Sequence, residues 1–146
     1  MCRFVDEEEF LARQNEPIQY IGIYELIWLL DDNLLDSEGI IVAFQDKKYL
    51  ISSKLISQEN QEEEFSFTYR EFTESYEGRS ILSSPEEPIS FIQKESDGYP
   101  VLLFRLGKRF VAVTANNDGY IAVGMTHWNE NGDWVDYEND IMLNDK

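Results

Sequence analysis

PIQYIGIYELIWLL, residues 17–30, admits two readings, and the fold turns on which one holds. Tyr24, Ile27 and Trp28 stand at helical spacing and mark one apolar face. Pro17 suits the first turn of a helix, where its missing N–H costs nothing. A helix then runs through Ile21, Tyr24, Ile27, Trp28 and Leu30 to Asp31, Asp32 and Asn33. Against this, residues 18–20 and 21–23 are β-branched or aromatic enough to allow a strand. Upstream, Asp6, Glu7, Glu8 and Glu9 precede Phe10 and Leu11, placing negative charge where a helix N-terminus favours it. The spacing therefore predicts helices over most of the first forty residues, interrupted at Pro17.

From Gly39 onward the texture changes. Residues 40–44 (IIVAF) read as a buried strand, 45–48 (QDKK) as a turn and 49–52 (YLIS) as the returning strand of a hairpin. The polar run 57–64 (SQENQEEE) reads as a solvated loop or a helix start. In 65–76, Phe65, Phe67 and Tyr69 alternate as in a strand, whereas Phe65, Tyr69, Phe72 and Tyr76 fall at helical spacing. The aromatic and β-branched content favours a strand at its start. Residues 84–88 (SPEEP) are the one candidate internal break in a chain otherwise read as a single domain, 1–146.

The last third is the most legible. Residues 101–106, 110–115 and 120–128 are apolar runs separated by Gly107-Lys108 and by NNDG at 116–119. A further turn at 129–132 leads to a fourth strand over 134–137. Between Phe110 and Trp128 the only formal charge is Asp118, so these strands need cover on both faces. The predicted fold class is α+β: N-terminal helices packed on an antiparallel β-meander of C-terminal hairpins.

Composition bounds the function. Acids outnumber bases 29 to 12, a net charge of −17. Binding to DNA, RNA or an anionic membrane through phosphates needs clustered Lys and Arg, so this balance argues against it and favours basic partners. Cys2 is the only cysteine, which excludes an intramolecular disulfide and suits a reducing, cytoplasmic setting. The opening MCRFVDEEEF lacks the basic and then apolar run of a signal peptide. The apolar run 26–30 falls far short of the roughly 18 residues that a membrane helix needs.

Motifs that carry chemistry are scarce. His127 is the only histidine and reads as structural or exposed; Cys2 has no local sign of a lowered pKa. No nucleophile elbow, Walker loop or dinucleotide fingerprint occurs. With 29 acids, carboxylate pairs are unavoidable and discriminate nothing. The chain is therefore read as non-enzymatic, with no catalytic residue, metal or cofactor. Residues 127–138, HWNENGDWVDYE, match the calcium-loop pattern except at His127, where Asp is expected. Imidazole is a poor ligand for a hard cation, and the flanks read as strand rather than helix. A hairpin turn is the better reading.

That hairpin gathers aromatics and acids. In a strand Trp134 and Asp136 share one face. With Trp128, Glu130, Asp133 and Glu138 they form a candidate surface for a basic protein partner, an aromatic anchor among carboxylates. The favoured function is a small acidic module of the inhibitor, immunity or antitoxin kind. It would neutralise a basic partner, such as a toxin or nuclease that processes nucleic acid, by electrostatic occlusion. A scaffold domain with merely solubilising acidity is the first alternative, and a carboxylate enzyme or small-ligand binder the second. A homodimer through 120–128 also remains open, since that run needs cover. Compact and acidic, the chain is similar in general character to bacterial toxin-immunity proteins, but no motif matches residue by residue and no site is transferred.

Overall fold

The computed structural model describes residues 3–31, 34–74, 79–81, 90–96, 98–106, 109–128, 134–136 and 143–144. Residues expected to form the second helix are instead a long strand, β2 (Ile18–Asp31), which follows β1 (Arg3–Val5) and α1 (Glu7–Leu11). The strands β3 (Leu34–Phe44), β4 (Lys48–Glu59), β5 (Glu62–Glu71) and β6 (Arg79–Ile81) come next. Then follow β7 (Ser90–Ser96), β8 (Tyr99–Leu106), β9 (Arg109–Thr114), β10 (Ile121–Trp128), β11 (Trp134–Asp136) and β12 (Leu143–Asn144). The α+β expectation is therefore wrong. Among the described residues the fold is one curled antiparallel sheet, with a single turn-and-a-half of helix.

The misleading spacing in β2 has a physical origin. Its register against β3 slips between Ile18 and Tyr20, between Leu26 and Trp28, and between Leu29 and Asp31. Each extra residue reverses which face the strand presents next. Ile18 and Ile21 consequently both reach the main core although three residues apart, and Ile23 joins them two residues later. Glu25, at φ 53°, adds a left-handed kink. A period of two broken this often imitates the helical period. The isoleucines at 18, 21 and 23, all buried, carry the truer signal, because their branched Cβ packs well on a pleated surface.

The main path of the sheet runs β1-β5-β4-β3-β10-β9-β8-β7. The expected hairpin of 40–44 with 49–52 is present, with Ala43 opposite Lys48 and Ile40 opposite Ile51. The C-terminal meander is present too: Thr114 lies opposite Val101 on one side and Ala122 on the other. The polar run 57–64 is neither loop nor helix. Ser57, Gln58 and Glu59 pair with Glu64, Glu63 and Glu62 around Asn60 and Gln61, at φ 51° and 67°. Positive φ at both central residues is the hairpin turn whose twist matches its strands. The break expected at 84–88 lies outside the described residues.

The two ends of the path curl towards each other, and α1 fills the seam. Phe10, fully buried, meets Tyr69 of β5 at 5.0 Å between ring centroids and Phe91 of β7 at 4.7 Å. It also meets Phe44 and Tyr49 edge-on at 6.0 and 5.6 Å. One side chain thus joins strands that exchange no ladder bonds. Just beyond α1, the Arg13 guanidinium lies 5.2 Å above Phe44 and 5.4 Å above Tyr49. It donates to both carboxylate oxygens of Asp46, at 2.7 and 3.0 Å. This charge-assisted fork holds the Asp46 carboxyl down at about 2 and the Arg13 guanidinium above its ordinary range.

Tyr69 supplies a pH test of this core. Its hydroxyl is buried without a hydrogen-bond partner, and burial, reinforced by Glu7, pushes the phenol well above its ordinary value. The folded pKa is raised, so the stability tied to a neutral phenol is complete below the unfolded value of about 10. It is lost as pH rises towards the folded value. Tyr69→Phe keeps the ring and removes the unmet hydroxyl. It is expected to raise stability at neutral pH by up to about 1 kcal/mol and to blunt the alkaline loss. Thermal melts at neutral pH and above pH about 10 check this; an equal alkaline fall in both proteins would count against it.

β3 changes partner along one edge. Leu34 to Ser37 pair with Gly124 to Ile121 of β10, while Ile40 to Ala43 pair with Ile51 to Lys48 of β4. The fork falls at Glu38 and Gly39, where hydroxyls replace ladder bonds. Ser52 Oγ of β4 donates to Glu38 O at 2.6 Å, and on the opposite edge of β3 Ser37 Oγ donates to Tyr24 O of β2 at 2.6 Å. Gly119 N donates to Ser53 O at 2.8 Å, and Leu55 N donates to Asp118 Oδ1 at 3.0 Å, drawing the loop before β10 across the gap. Ile121 and Val123 of β10 are buried within the chain itself, so this part of the apolar run needs no second copy to cover it.

Candidate functional site

The hairpin singled out in the sequence has strands on both flanks. In β10 and β11, Trp128 stands opposite Trp134, His127 opposite Val135 and Thr126 opposite Asp136. This register brings Trp128, Trp134 and Asp136 to one sheet margin. Glu130, Asp133 and Glu138 lie outside the described residues, as does Tyr137. Among the described residues a strand, not the helix that a calcium loop of the helix-loop-helix kind requires, leads into this stretch.

A second acidic feature is built by the β4–β5 hairpin. Up to Ile51 β4 pairs with β3, but its outer part, Ser57 to Glu59, has only Glu62 to Glu64 for a ladder partner among the described residues. A two-stranded arm therefore leaves the sheet. At its root the register slips between Leu55 and Ser57, so that Ile56 is the extra residue. Bulges of this kind re-aim a side chain, and Ile56 is 49% exposed. Glu59, Glu62, Glu63 and Glu64 are all exposed, and Glu59 stands directly opposite Glu62.

That arrangement opposes stability. Like charges placed directly across a strand pair repel, and an isolated two-stranded ribbon is marginal. A base at position 59 or 62 would favour the ladder. Local choices that work against the fold are concentrated where a surface serves something else. The arm thus repeats, with described side chains, the combination sought at the C-terminal hairpin: an exposed apolar residue beside a group of carboxylates.

Sequence reasoning named the acids of 59–64 but missed their geometry, because a run without apolar residues has no strand period to detect. It also missed Arg70 and Lys54, which the ladder of β4 and β5 brings to one outward face. Their alternation with Thr68 and Ser52 is visible in the sequence, but only the register joins the two strands. Among the described residues no helix is long and apolar enough to cross a membrane. Comparison with protein-family models, with curated proteins and with solved structures finds no match.

Proposed function

We propose that the protein is a binding module that engages a basic protein surface through its acidic hairpins and blocks that surface by covering it. The observation that carries this reading is the β4–β5 arm, where four exposed glutamates and Ile56 project on a ribbon supported by its own ladder. The excess of 29 acids over 12 bases extends the same field over the whole molecule. Such a field accelerates encounter with a positive patch and is weakened by salt. A covered basic patch could no longer meet nucleic acid, which gives the module an inhibitory action, and the reducing cytoplasm suits its single cysteine. The tryptophan pair of β10 and β11, with Asp136, would form a second contact region.

Reversing the arm tests the reading. Proteins captured at low ionic strength are identified, and each is measured singly against the parent chain and Glu59→Lys/Glu62→Lys/Glu63→Lys. The captured partners are expected to be basic. Their association rate constant should fall about ten- to a hundredfold on reversal and decline steeply with salt for the parent. The exposed arm should tolerate the changes, giving an unaltered far-ultraviolet circular dichroism spectrum. Partners that are not basic, or that bind the reversed arm equally fast, would sink the reading.

A further inference from the structure

Strand alternation sends Tyr49 and Ile51 of β4 into the main core and turns Leu50, Ser52 and Lys54 to the opposite face, where Leu50 packs beside Ile41 and Phe72, Ser52 is buried and Lys54 is exposed. Leu50 lies opposite Arg70 and Ser52 opposite Thr68, so β5 contributes to that same face. From the other side β1 places Phe4 opposite Arg70. These residues line a cleft of about 440 Å³, bordered by Tyr24, Glu38 and the Asp118-Gly119 loop. That volume lies within the range of small-molecule sites.

Arg70 is the unusual member. Its guanidinium carbon sits 5.1 Å above the Phe4 ring, and its Nε is buried with no hydrogen-bond partner. Neither Arg70 nor Lys54 pairs with a carboxylate among the described residues, in a chain whose acids outnumber its bases 29 to 12. Arg13 and Lys47 do pair, with Asp46 at 2.7 Å and Glu71 at 3.8 Å. A second cleft of about 300 Å³, over the β3–β4 turn, is lined by Asp46 and Lys47, whose charges are thus already met.

We propose that the β4–β5 cleft binds a small oxyanion, a carboxylate or a phosphate group, on the Arg70 guanidinium. The fork of N–H donors matches both groups in geometry, and Phe4 holds the plane of the fork in place. Phe4 and Leu50 offer an apolar wall for an organic body. Lys54, about 13 Å along the strand from Leu50, draws the anion in from the rim. Glu38 and Asp118 border the same rim, and Asp118 already accepts from Leu55 N. Their charge limits the ligand to one or two negative charges and turns away polyanions such as nucleic acid.

The test uses the full chain and two probes, inorganic phosphate and sodium benzoate, titrated separately at constant ionic strength. The readout is the Arg70 Nε–Hε resonance in proton–nitrogen correlation spectra. At least one probe is expected to shift it saturably at millimolar concentration. Benzoate alone would identify a carboxylate ligand, and phosphate alone a phosphate ligand. Arg70→Lys, which keeps the charge and loses the fork, should weaken binding about tenfold or more. Lys54→Met, at an exposed position, should weaken it by a few-fold without loss of fold. No saturable shift with either probe overturns the proposal, as does an Arg70→Lys protein that folds and binds as tightly as the parent.

Discussion

Replacing Phe10 with alanine is expected to destabilise the protein by about 3–5 kcal/mol, the range for emptying a fully buried aromatic position. The ring is inaccessible to solvent and packs against Phe44, Tyr49, Tyr69 and Phe91, which belong to four different strands. Two of these, β5 and β7, share no ladder, and β5 meets β8 across the seam of the sheet. Elsewhere a lost side chain leaves backbone hydrogen bonds to hold the strands together. At the seam it leaves a cavity, with side-chain contacts such as Phe65 against Tyr99 of β8 in place of a ladder. Phe10→Leu keeps most of the volume and should cost about 1–2 kcal/mol. Urea unfolding of the three proteins decides the matter. A loss under about 1 kcal/mol for Phe10→Ala would show that the seam holds without its plug.

Gly39→Val is the second large expected loss, in the upper part of the 1–3 kcal/mol range, or about 3 kcal/mol, for overpacking. A Cβ at Gly39 would stand 2.8 Å from Ile51 O and 2.9 Å from Leu50 Cδ1. The leucine methyl can turn aside, but Ile51 is a ladder partner of Ile40, and its carbonyl cannot retreat without opening β3 from β4. The branched side chain therefore pushes on backbone at the fork. Urea unfolding should show the loss, and hydrogen exchange should quicken at Ile40 to Ala43 ahead of the rest of β3. A Gly39→Val protein as stable as the parent would mean that the fork is looser than its close contacts indicate.

The parts of this fold legible in the sequence are those where turn chemistry and apolar runs agree. Asn116 to Gly119 separates two apolar runs, and β9 and β10 pair on either side of it. Gln45 to Lys48 does the same for β3 and β4. The N-terminal third misleads because β2 is bulged, and each bulge converts a spacing of two into three. Residues 57–64 mislead for the opposite reason: their ladder rests on backbone hydrogen bonds and a turn with positive φ, without a buried face. The site was legible only in composition. Excess acid was evident from residue counts, but the opposition of Glu59 to Glu62, and of Leu50 to Arg70, depends on register. Neither can be read from one strand alone.

The fork in β3 also has a temporal meaning. Its partners β2 and β4 are its immediate neighbours in the chain, so those pairings close short loops and can form early. Leu34 to Ser37 must wait for β10, which is separated from them by most of the chain. Until then the chain carries half a strand whose main-chain groups on one edge face water, next to the exposed Leu34 and Leu29. Such an edge is where one nascent molecule can join another. Arrival of the C-terminal meander ends that exposure, so folding yield should depend on how fast residues 121–124 reach their place beside β3.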